Sequence, residues 1–111
     1  MRSLDEANLR PKDREAVQAA AALLRERFGA TGVILFGSTA RGESGPDSDL
    51  DLLVLLPRDV TFAERLAVSE ALSPVGRGLG VLFNTVVAPA AGWPIRPYPL
   101  SEQVRRDGVA A

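Results

Sequence analysis

Phe36 to Val54 reads FGSTARGESGPDSDLDLLV, and its second half decides the architecture. From Asp49 to Leu56 the chain is apolar apart from two acids, Asp49 and Asp51. A short apolar run bounded by turn formers reads as a buried strand, and apolar residues on both faces place it centrally in a sheet. Side chains two apart along a strand share a face. Asp49 and Asp51 therefore stand side by side, while Leu50, Leu52 and Val54 turn away into apolar packing. Two carboxylates in that register repel unless something positive sits between them. A divalent cation is the simplest answer, and a carboxylate pair completed by substrate phosphates is how magnesium is commonly held.

The first half of the stretch supplies the other partner. Val33 to Phe36 is a continuous apolar run that reads as a second buried strand, and Gly37 stops it. Glycine allows close approach of a ligand to the backbone. The Ser38 hydroxyl and the free N–H groups of a following helix start can receive phosphate oxygens. Arg41 can add a charge-assisted bond to a phosphate or to a nearby carboxylate. Phosphate donors on one loop beside metal ligands on the next strand fit triphosphate chemistry. Two other phosphate motifs fail here. Gly37 and Gly42 have the spacing of a Walker A loop, but Glu43 stands where the lysine belongs. The dinucleotide fingerprint lacks its second glycine, since Thr39 occupies that place.

Composition narrows the chemistry further. The 111 residues suit one compact domain, and 13 basic against 14 acidic residues give a net charge of −1. That balance argues against nucleic-acid binding by bulk charge. With no cysteine and no histidine, disulfides, thiolate or imidazole metal sites and histidine bases are excluded. Any metal must take oxygen ligands, which suit hard cations such as magnesium or manganese. No segment approaches the roughly 20 apolar residues of a membrane span, and the charged N-terminus is not a secretory signal. A soluble, cytoplasmic protein without membrane contact is expected.

Outward from the central stretch, residues 1–10 read as a loose lead-in. Pro11 opens a helix with Val17, Ala20, Leu24 and Phe28 on one face and Gly29 as its C-cap. Thr39 to Gly42 reads as a short helix or turn, and Glu43 to Ser48 as an exposed loop. Thr61 and Glu64 have capping-box spacing at the head of another helix, expected to end near Leu72. Pro74 with Gly76, Gly78 and Gly80 marks Ser73 to Gly80 as loop, and Val81 to Val87 as the third strand. Residues 88–111 form a proline-rich tail with a helical turn or two over Leu100 to Arg106. The sum is a small mixed sheet packed against helices, α/β or α+β.

Gly37-Ser38, ten residues, then Asp49-x-Asp51 resembles the signature of the DNA polymerase β-like nucleotidyltransferase superfamily. The fuller GSTARGESGPDSDLDLLV looks like its minimal nucleotidyltransferase branch, small prokaryotic proteins commonly encoded beside a HEPN-domain ribonuclease toxin. The match is specific over about residues 33 to 56; the ending, Leu100 to Val109, agrees weakly. The resemblance implies that Gly37 and Ser38 contact nucleotide phosphates, that Asp49 and Asp51 bind Mg2+ and carry catalysis, and that Arg41 supports the phosphate loop or its carboxylates. It implies transfer of AMP from ATP to a tyrosine hydroxyl of a HEPN toxin. It also implies a third carboxylate on the next strand. Val81 to Val87 offers Asn84 instead, and no acid lies between Glu70 and Glu102. An amide is no base at neutral pH.

Three functions are therefore expected as rivals: an adenylylating antitoxin, a catalytically deficient antitoxin of the same fold that works by contact, and a small-molecule nucleotidyltransferase. The last is disfavoured by the short chain. Asn84 reads equally as an edge-strand bulge cap or as the relic of a metal ligand. Trp93 and Tyr98 read first as pins for the tail and second as a partner-binding patch.

Overall fold

The computed structural model of the chain describes residues 1–43, 45, 49–94 and 99–111. Tyr98 and most of the expected loop before Asp49 lie outside the described residues. In chain order the elements are β1 (Arg2–Ser3), a 3-10 turn (Leu4–Glu6), α1 (Pro11–Phe28), β2 (Gly32–Phe36), α2 (Gly37–Ala40), β3 (Leu50–Leu56), α3 (Phe62–Leu79), β4 (Phe83–Pro89), α4 (Pro99–Asp107) and β5 (Val109–Ala110). The strands form one mixed sheet in the order β1-β5-β2-β3-β4. β2 and β3 are antiparallel, and β3 and β4 are parallel, joined through α3.

The central β3 is buried on both faces, as its apolar run requires. Leu50, Leu52, Val54 and Leu56 enter the main core with Val17, Ala20 and Leu24 of α1 and Val68 and Leu72 of α3. Leu53 turns to the opposite face, where Ile34, Phe36 and Val104 cover it with α4. Each such leucine, removed wholly from water, contributes roughly 1.5–3 kcal/mol. α1 presents a stripe of alanines to the sheet, Ala16, Ala20 and Ala21 among them, which lets its backbone approach closely. Its ends follow the sequence: Pro11 in the first turn, and Gly29 at φ 67° donating its N–H to Arg25 O. Thr61 caps α3 by accepting the Glu64 N–H at 3.1 Å.

Four expectations are corrected. α3 does not stop near Leu72 but runs through Pro74 to Leu79. Proline removes one N–H, so only the carbonyl of Glu70, an exposed residue, loses its helical donor. The glycines serve the helix rather than break it. A Cβ on Gly76 would lie 2.5 Å from Val81 O, and the Val81 N–H donates to Gly76 O at 2.9 Å, so the returning chain can cross only there. Gly80, at φ 69°, is the true stop. β4 accordingly begins at Phe83, two residues later than expected, with Leu50 opposite it.

Residues 1–10 are no loose lead-in, since β1 pairs with β5 and Leu4 and Ala7 are buried. Arg14 fastens this segment by donating to Leu4 O and Ala7 O. The tail is likewise part of the fold. β5 lies between β1 and β2, with Val109 fully buried. Trp93 packs against the α4 side of the core, in keeping with the first of its two readings. β4 is an edge strand, and Arg65 guards it by donating to Val87 O. Among the described residues no helix is long and apolar enough to cross a membrane.

Candidate functional site

The site lies where β2 ends and β3 begins. Phe36 is the register partner of Asp51, so the residue after Phe36 must turn directly over the Asp51 side chain. Gly37 does so at φ 80°, and a Cβ built there would meet Asp51 Oδ2 at 2.3 Å. Both the left-handed backbone and the contact demand glycine. The chain then enters α2, whose Thr39 is buried and donates its hydroxyl to Asp49 O at 3.2 Å. That bond ties the phosphate-loop candidate to the head of β3. Thr39 was not singled out from the sequence, because its partner lies ten residues away across a loop.

The two carboxylates converge. On β4, Asn84 is the register partner of Asp51, and its Nδ2 donates to Asp49 Oδ2 at 2.8 Å and to Asp51 Oδ1 at 3.3 Å. Asp49 stands just ahead of β3 rather than within it, yet both acids face the same amide. The Asp51 carboxyl is pushed above the usual carboxylate range, first by burial and also by the charge of Asp49, against the opposing hydrogen bond from Asn84. Its charge is thus expensive in the absence of a cation.

Ser38 is half-exposed in the first turn of α2, with its carbonyl accepting the Glu43 N–H at 2.9 Å. The first N–H groups of a helix have no intrahelical acceptor, so this turn keeps its donors beside the carboxylates. Arg41 engages two carboxylates outside the Asp49–Asp51 pair. Its Nε donates to Glu43 Oε2 at 3.0 Å and its Nη1 to Asp107 Oδ2 at 3.1 Å. It is not drawn in with Asp49 and Asp51. Asp107 is buried, and its carboxyl is held below the usual range, chiefly by the Arg106 hydrogen bond and further by Arg41. Arg2 joins the same knot, donating to Ala40 O at 2.7 Å and Asp107 O at 3.1 Å. These bonds lock α2 to the C-terminal helix. Sequence patterning could not find the bonds to Asp107 from Arg41 and Arg2, which span 66 and 105 residues.

Beside Asp49, on the α1 and α3 side of the sheet, opens a cleft of about 360 Å³ whose lining includes Arg10, Lys12, Ser69, Arg77 and Phe83. Among the described residues no three acids, histidines or cysteines gather. Two carboxylates and one amide form an open, oxygen-rich set. It suits a hard divalent cation that completes its shell with phosphate oxygens and water, and does not suit a closed protein cage. The absence of a Cβ at Gly37 is what lets the Asp51 carboxylate lie directly against the bend.

The structure thus presents a mixed α/β sheet with a Gly-Ser bend over two paired carboxylates. The family model described as nucleotidyltransferase domain matches residues 18–97, and the chain belongs to that family. A solved structure presented as a candidate minimal nucleotidyltransferase is 35% identical, with TM-score 0.62, over 96% of this chain and 93% of that one. The protein adenylyltransferase MntA of Thermococcus cleftensis is 46% identical over 52 residues, 44% of this chain and 52% of the relative. The chain thus spans about half the length of that curated relative. A toxin–antitoxin complex crystallised with AMP-PNP has a TM-score of 0.62 at 22% identity, over 84% of this chain and 69% of that one. A tri-AMPylated HEPN toxin of Shewanella oneidensis in complex with MNT antitoxin gives 0.57 at 19% identity, over 87% of this chain and 69% of that one. At those identities the likeness is one of fold. The family resemblance read from residues 33 to 56 is borne out, as is the fold class.

Proposed function

We propose that the protein is a Mg2+-dependent nucleotidyltransferase that moves AMP from ATP to a tyrosine hydroxyl of a HEPN-type partner, acting as its antitoxin. The observation that carries this reading is the convergence of Asp49 and Asp51 on Asn84, directly under Gly37. The name of the MntA relative, an adenylyltransferase, supports the group transferred, and the AMPylated toxin complex supports the acceptor class.

In this reading Gly37 and Ser38 bind the phosphates with backbone N–H groups and hydroxyl, and Asp49 and Asp51 hold the cation against them. A bound cation supplies charge neutralisation on the triphosphate and on the attacking and leaving oxygens. The acceptor oxygen forms a bond to the α-phosphorus, the bond from that phosphorus to the bridging oxygen breaks, and pyrophosphate leaves with the electron pair. The acceptor proton passes to solvent or to a carboxylate, because the Asn84 amide cannot take it. A phenol, with a pKa of about 10, needs less help from a base than an alkyl hydroxyl does. A site with an amide in this place is thereby suited to tyrosine. Thr39 and the knot of Arg2, Arg41 and Asp107 keep α2 at its angle to β3.

Asn84 also favours a second reading, a catalytically deficient domain that neutralises its partner by contact alone. Labelled ATP, Mg2+ and the HEPN-type partner decide between them. Label on the partner that is lost in the Asp49→Asn, Asp51→Asn double variant supports the enzyme. A stable complex that never takes label supports the contact reading, and transfer that survives the double substitution overturns the site.

A further inference from the structure

We propose that Asn84 is the third arm of this site, a reversible one: its amide clamps Asp49 and Asp51 through Nδ2 while the site is empty, and turns end for end to offer Oδ1 to a divalent cation. The proposal rests on the functional reading above and adds the behaviour of one residue to it. Asn84 reaches both acids because the parallel register of β3 and β4 sets it opposite Asp51. Its bonds of 2.8 and 3.3 Å hold the amide nitrogen at about the spacing of neighbouring oxygens around one hard cation, roughly 3 Å for ligand bonds of about 2.1 Å, so Oδ1 turned into that place would share a cation with both carboxylates. An amide has a donor end and an acceptor end. The donor end suits two anions, and the acceptor end suits a cation. An aspartate at 84 suits only the loaded state, since in the empty one it adds a third negative charge to two that already repel.

The side chain is exposed on an edge strand, so the turn needs no repacking of the core. Charge follows from the same geometry. With two protein charges rather than three, the site holds a bare dication weakly. It gains the dication with the polyphosphate, whose oxygens supply the missing negative charge. Metal binding is thus linked to nucleotide binding by the choice of asparagine.

Mn2+, followed by electron paramagnetic resonance, tests this on the full chain without partner. Wild type, Asn84→Asp and Asn84→Ala are titrated with the ion alone and with the ion plus a non-hydrolysable ATP analogue. Asn84→Asp is expected to bind Mn2+ alone at least tenfold tighter than wild type. Its thermal midpoint is expected to fall without the ion and to recover when it is added. Asn84→Ala is expected to bind the ion with the analogue several-fold more weakly than wild type. The side-chain amide resonance of Asn84 is expected to shift when Mg2+ and the analogue are added together. Equal affinities across the three proteins, with wild type binding the metal–analogue pair, overturn the role of Asn84 and leave the functional reading standing. A wild type that binds no metal–analogue pair overturns both.

Discussion

Replacing Gly37 by alanine should damage the site far more than the fold. Two separable costs meet at this residue. The backbone sits at φ 80°, and an alanine in the left-handed region loses about 1–2 kcal/mol. The new methyl would lie 2.3 Å from Asp51 Oδ2, about 1 Å inside ordinary contact, so either the Asp51 carboxylate or the head of α2 must move by that amount. Asp51 is held on a central strand, and moving its carboxylate breaks the 3.3 Å bond from Asn84. Gly29 supplies the control. It has φ 67° with nothing within 4 Å of its missing Cβ, so Gly29→Ala carries the backbone cost without the clash. Gly29→Ala is expected to lose about 1–2 kcal/mol in urea unfolding, a fall of roughly 5–15 °C in midpoint for a chain of this size, and Gly37→Ala is expected to lose at least as much. Only Gly37→Ala should also weaken binding of the metal–ATP pair, by tenfold or more in calorimetry. Retention of wild-type affinity by Gly37→Ala, within a factor of two, would refute the claim that this contact shapes the site.

Asp51→Asn should stabilise the protein at neutral pH while abolishing metal-dependent nucleotide binding. The folded pKa of Asp51 is raised, so the stability associated with this group is complete below the unfolded value and is lost as pH rises through the folded one. The variant should therefore melt higher than wild type at pH 7 without metal, with the gap closing in acid; a variant that melts lower at pH 7 contradicts the sign. Asp107→Asn runs the other way. The Asp107 pKa is depressed by Arg106 and Arg41, so its stabilisation is present above the unfolded value and lost as pH falls through the folded one. The variant should be less stable than wild type at pH 7, converge with it in acid, and weaken nucleotide binding by loosening Arg41. Thr39→Val, which deletes the bond to Asp49 O, should cost about 1 kcal/mol in denaturant unfolding; no loss would mean that the bond is not formed in solution.

Some of this architecture was legible because its causes are local. The cap residues Pro11, Gly29 and Thr61 act within one turn of their own helices, and each stands where the pattern put it. Asp49 and Asp51 meet the same amide because the chain entering β3 keeps the period of two of a strand. Elsewhere the local signals misled. Pro74 and the glycines after it carry loop signatures, yet α3 continues past them, since burial of Val68, Ala71, Leu72 and Gly76 outweighs one missing hydrogen bond. The two-residue strands β1 and β5 are too short to leave any periodicity, and they exist because the sheet offers them partners.

By itself, then, the order of residues determined the element types around the motif, the lack of any thiol or imidazole ligand and the pairing of Asp49 with Asp51. Only the folded chain decided that Asn84 bridges those acids, that Gly37 lies against Asp51, and that Arg41 is engaged by Asp107 rather than turned toward the carboxylates. The physical reason is range. Capping and strand alternation act over a few residues, whereas a bridging amide 33 residues from Asp51 and an ion pair spanning 66 residues depend on the register and packing of strands that meet only in the finished sheet.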